Sequence, residues 1–170
     1  MKNKYFTSIL FLALILVATT IHAQQLDDST KIKNIIQEEI VSWNKGDAET
    51  YSNHFANGGT FTNILGMFFI GHNEFQSKHA QVFKTVFKGT KLEQKIISLN
   101  FIHPTVAIVE TLCILSEFSK NGPLKGTFLD NKGRLLTRLL QVMKKDKKDW
   151  KIVTYHNVDI KPGIPVPELL

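Results

Sequence analysis

The sequence predicts an α+β domain, with helices first and a run of long antiparallel strands after them. Two stretches carry apolar residues at three- and four-residue steps, one near residues 30–45 and one near 73–87. From Lys91 onward the pattern changes to branched and aromatic runs separated at hairpin spacing. Glycine and proline punctuate the joints between these runs. A curved, mostly antiparallel sheet of this kind, wrapped on a long helix, forms a cone-shaped barrel whose open mouth is a pocket.

The first domain helix is predicted to start near Ser29 or Thr30, after a polar and loose stretch at 24–29. Ile32, Ile35, Ile36, Ile40 and Trp43 form its apolar face, opposite Lys31, Lys33, Gln37 and Glu38. Gly46 stops it, and Asp47 is the natural N-cap of a short second helix that offers Ala48, Tyr51 and Phe55 to the core. Asn57, Gly58 and Gly59 break that helix. A strand follows over Thr60 to Leu65, then Gly66 as a turn or bulge before Met67 to Ile70. The long helix runs from Asn73 to about Phe87, capped by His72 or Asn73 and closed by Gly89. Four strands complete the chain: Lys91 to Leu99, Val106 to Glu117, Gly133 to Met143, and Trp150 to Val158. Pro162, Pro165 and Pro167 leave an extended tail.

Residues 1–23 have a different character. Lys2 and Lys4 precede an unbroken apolar run from Ile9 to Ala18, and a small residue, Ala23, precedes Gln24. That is the pattern of a secretory signal peptide, too short in its apolar run for a spanning helix of roughly 20 residues. The expectation is cleavage after Ala23, a 24–170 domain, secretion or periplasmic export, and no stable membrane insertion afterwards. Cleavage lowers the net charge from +6 to +4, since two lysines leave and no acidic residue goes with them. The remaining lysines are scattered, and Lys144, Lys145, Lys147 and Lys148 read as a solvated hairpin tip. Only two arginines are present, both inside an apolar stretch, which argues against nucleic-acid binding. Cys113 is the single cysteine, between Leu112 and Ile114, and reads as a buried small hydrophobe.

The order Trp43-Asn44, Gly46-Asp47-Ala48, Phe55-Ala56, Phe61-Thr62-Asn63, Gly66, Gly71, Glu74, His79, Phe83 and Phe87-Lys88-Gly89 resembles the SgcJ/EcaC family of SnoaL-like proteins. Trp150, Ile152 and His156-Asn157 fit the same pattern. These proteins belong to the nuclear transport factor 2-like superfamily, and the resemblance covers nearly all of residues 24–170. His72 departs from it, because the family usually has an arginine after that glycine. The resemblance implies a homodimer formed through the outer sheet face and an apolar cavity for a small molecule. The label oxidoreductase also travels with the family name. No glycine-rich dinucleotide fingerprint follows a strand here, so no cofactor is expected.

His79 is the centre of the functional reading. It lies four residues after Phe75 and three before Val82, on the apolar face of its helix. A neutral imidazole there is either a core group pinned to a partner or a cavity-lining acid or base. In the last strand, parity puts Trp150, Ile152, Thr154 and His156 on the inward face. In the second long strand Val106, Ile108, Glu110, Leu112 and Ile114 share a face, where Glu110 needs a partner or a cavity. Arg138 is its candidate partner. Asn63 either binds ligand or caps a turn. The expected acid/base set is therefore His79, Asn63 and His156, and the expected ligand-binding set is Trp43, Tyr51, Phe61, Phe83, Glu110 and Arg138. His54, His72, His79, His103 and His156 do not fall at metal spacing, and no metal is expected. Three functions follow from these residues: a small-apolar-molecule pocket, with or without cofactor-free acid/base chemistry; a non-catalytic dimeric carrier or structural module; and the oxidoreductase of the family name.

Overall fold

In the computed structural model, residues 24–119 and 122–166 are described in full, and the predicted leader lies outside them. The chain divides into two compact units, Met1–Asn34 and Ile35–Leu170. Helix α1 is assigned to Lys2–Lys45. Residues 24–29, expected to be loose, are helical. Nothing in that stretch breaks a helix, and its polar side chains bond along the helix surface. Gln24 Nε2 donates to Asp28 Oδ2 at 3.2 Å, and Lys31 pairs with Asp27 at 2.8 Å. Ser29 and Thr30 donate their hydroxyls to the carbonyls of Gln25 and Leu26 instead of capping a helix start.

In the second unit, Gly46 ends α1 with φ of 70°. Asp47 caps α2, Ala48–Ser52, by accepting from Thr50 N at 3.1 Å. Phe55, expected in that helix, begins strand β1, Phe55–Thr62, which turns through residues 63–67 into β2, Phe68–Ile70. Gly59 is required where it stands, because a Cβ there would lie 2.8 Å from Cε1 of the Phe55 ring. Helix α3, His72–Lys84, starts from Gly71 at φ 98°, so the cap is the glycine and not His72 or Asn73. His72 Nδ1 instead donates to the Phe55 carbonyl at 3.0 Å.

Four long strands follow: β3, Lys91–His103; β4, Val106–Ser116; β5, Leu135–Asp146; and β6, Asp149–Asp159. They form one six-stranded sheet in the order β2-β1-β6-β5-β4-β3. All neighbours are antiparallel except β1 and β6, which run parallel. This is the expected α+β architecture, a curved sheet with helices against its inner face. The inner face carries Ala107, Val109, Thr111, Cys113 and Leu115 from β4 and Leu135, Thr137, Leu139, Gln141 and Met143 from β5, all buried. The last turns of α1 are tied to the sheet edge by a paired amide. Asn44 Nδ2 donates to Leu92 O at 3.1 Å, and Leu92 N donates back to Asn44 Oδ1 at 2.7 Å. Trp43 Nε1 donates to Thr90 Oγ1 at 3.1 Å beside it.

Two register shifts decide what faces inward. In β6, Met143 pairs with Ile152 but Val142 pairs with Thr154, so Val153 is an extra residue. That bulge reverses the alternation beyond it. Trp150 and Ile152 point in, then Tyr155 and Asn157, while His156 is exposed opposite Leu140 and Thr62. In β3, a shift between Ile96 and Ser98 does the same near the far end.

Candidate active site

A cavity of about 380 Å3 opens inside the second unit. Its walls come from α3, from the last turn of α1 and from the inner face of the sheet. Phe61, Phe69, Phe87, Leu92, Leu115 and Leu135 make most of it apolar. Lys78 is the one charged side chain among the described lining residues, and its Nζ lies 4.9 Å from the Phe69 ring centre. Met67, Gln81 and Thr85 line the cavity and are exposed, which places the mouth at their end.

His79 lines this cavity and is 5% exposed. Rings of Phe75, Tyr51 and Phe61 surround it at centroid distances of 4.2, 4.7 and 5.3 Å. Burial lowers its pKa to about 4, against a smaller raising effect of the bond to Phe75. The ring is therefore neutral at neutral pH. Its Nδ1 is 2.8 Å from the Phe75 carbonyl, which can only accept, so Nδ1 carries the hydrogen. Nε2 is left as a bare lone pair. His79 is thus pinned to the backbone by one nitrogen and lines the cavity.

Beside it lie two phenols. Tyr51 Oη and Tyr155 Oη are 2.8 Å apart, both residues are buried, and both line the cavity. One hydroxyl donates to the other, so one proton of the pair remains to be given elsewhere. Burial raises both phenols well above their ordinary pKa of 10.0, and each stays protonated. Tyr51 was expected among the ligand-binding residues, but Tyr155 was not. Parity across the unseen Val153 bulge had placed it outward.

The other expected residues divide. Trp43 and Phe61 line the cavity. Phe83 is buried behind Trp43, edge-on at 4.8 Å, and packs the wall without lining it. Asn63 lines the cavity, but its Oδ1 accepts from Leu65 N and Met67 N at 2.9 and 3.0 Å, so its carbonyl serves the turn. His156 is turned outward by the bulge and cannot hold a guest in the cavity. Glu110 and Arg138 meet on the outer face, Arg138 Nη1 to Glu110 Oε1 at 3.0 Å, half-exposed. The inner face of β4 is the odd-numbered one, so this pair is remote from the cavity.

A buried acid lies behind the cavity. Glu39 is 2% exposed; its Oε1 accepts from Gln141 Nε2 at 2.7 Å and its Oε2 lies 3.4 Å from Gln94 Nε2. Desolvation raises its pKa to about 8, so it is mostly a neutral carboxylic acid at pH 7. Helical spacing carries a signal for it, since Glu39 is four residues from both Ile35 and Trp43. Gln94 also lines the cavity, with Cys113, Thr137 and Asn157. Among the described residues no group of three or more His, Cys, Asp or Glu could hold a metal ion.

No protein-family model matches the chain, and no curated relative matches it. Solved structures do. A domain of unknown function with a cystatin-like fold from Nostoc punctiforme is 23% identical, with a TM-score of 0.67 over 81% of this chain and 80% of that one. A ketosteroid isomerase-like protein from Erwinia carotovora atroseptica is 17% identical, with a TM-score of 0.61 over 78% and 96%. The fold is nuclear transport factor 2-like, of the cystatin-like cone type. A candidate scytalone dehydratase from Novosphingobium aromaticivorans superposes as well, 15% identical with a TM-score of 0.69 over 82% and 89%. At these identities the likeness is one of fold.

Proposed function

We propose that this chain is a small-molecule-binding domain of the SnoaL-like, SgcJ/EcaC type that performs cofactor-free proton transfer on an apolar carbonyl compound. One observation carries the reading. His79 and the Tyr51–Tyr155 pair line the same apolar cavity, and the imidazole ring centre lies 4.7 Å from that of Tyr51 and 6.4 Å from that of Tyr155. With a carbonyl oxygen on the phenols, Nε2 takes a proton from the adjacent carbon. The C–H pair moves into the new carbon–carbon double bond, and the carbonyl pair moves onto oxygen. The one free phenol proton of the pair is donated to that oxygen as its charge grows, with the second phenol donating to the first, which places a fixed donor where charge develops. The imidazolium swaps its Nε2 hydrogen with solvent and then gives a hydrogen back to carbon, which regenerates the neutral ring. A ketosteroid isomerase-like protein and a candidate scytalone dehydratase share the fold, and both descriptions are of proteins acting on small cyclic molecules, which supports the reading.

The test is exchange of the α-protons of 1-tetralone for deuterium in deuterium oxide, followed by NMR. His79→Ala is expected to abolish the catalysed exchange. Tyr155→Phe is expected to slow it by about 10²-fold, the usual effect of losing one oxyanion donor. Exchange at the wild-type rate in His79→Ala would end the catalytic reading. A pKa of about 4 makes His79 a weak base, and that favours a second reading, a carrier that binds such compounds without turning them over. Binding of 1-tetralone without exchange would select the carrier. The pocket would serve in a domain exported by the 1–23 leader and paired through its outer sheet face, where Leu140 is 38% and Val158 50% exposed. N-terminal sequencing of the exported chain tests the first of these, with Gln24 as the expected start.

A further inference from the structure

The cavity wall also carries a cation that the proton-transfer reading does not use. Lys78 stands on α3, next to His79 and one turn before Val82, and all three line the cavity. It is half-buried and supplies the one charge among the described lining residues. Its Nζ is turned to Phe69, 4.9 Å from the ring centre, and Phe69 is itself part of the cavity wall. No carboxylate among the described residues pairs with Lys78, although Glu74 lies one turn earlier on the same helix. Lys31, Lys161, Arg134 and Arg138 all have acid partners. A ring face attracts the charge but takes no ordinary hydrogen bond, so the ammonium N–H groups remain to be given.

The β1–β2 hairpin beside it adds a second donor. Phe61 pairs with Phe69, and two positions further on Asn63 N donates to Met67 O at 3.0 Å. Strand parity puts these four side chains on one face, and all four line the cavity. Asn63 Oδ1 is taken by the turn, whereas Asn63 Nδ2 has no partner among the described residues. Asn63 is two residues from Phe61, about 7 Å along the strand, a span that the flexible lysine stem covers. Met67, which is exposed, places this corner at the mouth, and the walls behind it are mostly apolar. An ammonium and an amide N–H at the edge of such a cavity ask for one negative charge carried on oxygen. A carboxylate meets that demand, whereas a dianion would leave a charge unpaired.

We propose that the guest is a keto acid: an apolar body with its carbonyl toward Tyr51 and Tyr155 and a carboxylate at the mouth, held by Lys78 Nζ and Asn63 Nδ2. This rests on the reading of the cavity as a binding site for apolar carbonyl compounds and adds what the outer end of the guest carries. Lys78 and Asn63 are then specificity-determining residues with no part in the proton transfer.

The test compares 6-(carboxymethoxy)-1-tetralone with its primary amide, which keeps the shape and the ring carbonyl and removes the charge. Affinities are measured by calorimetry at pH 7 on the exported chain, with α-proton exchange as a separate readout. The carboxylate is expected to bind about fivefold tighter at low ionic strength, as a half-buried, charge-assisted contact allows. Raising the salt from about 0.05 M to about 0.5 M is expected to shrink that ratio. In Lys78→Met, which keeps the length of the side chain and removes the charge, the ratio is expected to fall toward one. Equal affinities in the wild-type protein would overturn the proposal, and that comparison does not depend on any variant folding. A preference that survives in Lys78→Met would overturn it as well. Binding by neither compound would remove the cavity reading and this inference with it. Carboxylate preference without exchange would leave this inference standing and remove the catalytic one, and exchange with equal affinities would do the reverse.

Discussion

Replacing Glu39 by glutamine should stabilise the protein, and by an amount that depends on pH. Glu39 is fully buried and its pKa is raised to about 8 from 4.5. Between those values the unfolded chain is ionised and the folded chain holds its proton. The folded state binds more protons there, so stability falls as pH rises through the window. At pH 7.5 the displacement spans three pH units above 4.5, which corresponds to about 4 kcal/mol of destabilisation carried by this one side chain. Glutamine keeps the acceptor for Gln141 Nε2 and replaces the second oxygen by an amide nitrogen. Gln94, whose Oε1 lacks a partner, can turn its amide to accept from it. Glu39→Gln should therefore match the wild type at pH 4.5 and exceed it by several kcal/mol at pH 7.5, levelling off above about pH 8. His79 provides the internal contrast. Its pKa is lowered to about 4 from 6.5, so its contribution is present above pH 6.5 and is lost as pH falls toward 4, by about 3 kcal/mol. Chemical-denaturant unfolding at half-unit pH steps measures both slopes. A difference between Glu39→Gln and wild type that is flat with pH, or a variant less stable at pH 7.5, would refute the assignment of a buried neutral acid.

Gly71→Ala should lower stability by about 1–3 kcal/mol in thermal or denaturant unfolding, because its φ of 98° and an Asn57 carbonyl 3.3 Å from the added Cβ both oppose a side chain. Cys113 should resist a small thiol reagent at pH 8 in the native state and react on unfolding, since burial pushes its thiol up to about 12. Leu140→Lys, on the outer face beside the Glu110–Arg138 pair, tests the proposed pairing through that face: sedimentation velocity should show less self-association than in the wild type, with the unfolding free energy of the chain within about 0.5 kcal/mol of wild type.

The order of elements was legible because each rests on a local period or a local break. Asp47 capping α2 and Gly46 ending α1 are examples. The inward aim of His79 was legible for the same reason, since Phe75 and Phe83 on its helix face are buried with it. Looseness at 24–29 was misread because polarity alone does not break a helix. Glu39 could have been found from its spacing to Ile35 and Trp43, but a carboxylate on an apolar face reads as a surface residue until its two glutamine partners are seen.

What the sequence determined by itself is which face each regular element turns to the core as long as its period is unbroken. Tertiary structure decided which residues meet. One extra residue at Val153 reverses every side chain after it, exchanging His156 for Tyr155 and so making the phenol pair. Register across β3, β4 and β5 assembles Gln94, Cys113 and Thr137 into one part of the cavity wall from positions that are far apart along the chain. Local spacing is written in neighbouring residues, whereas register comes from the balance of pairing and packing over the whole sheet.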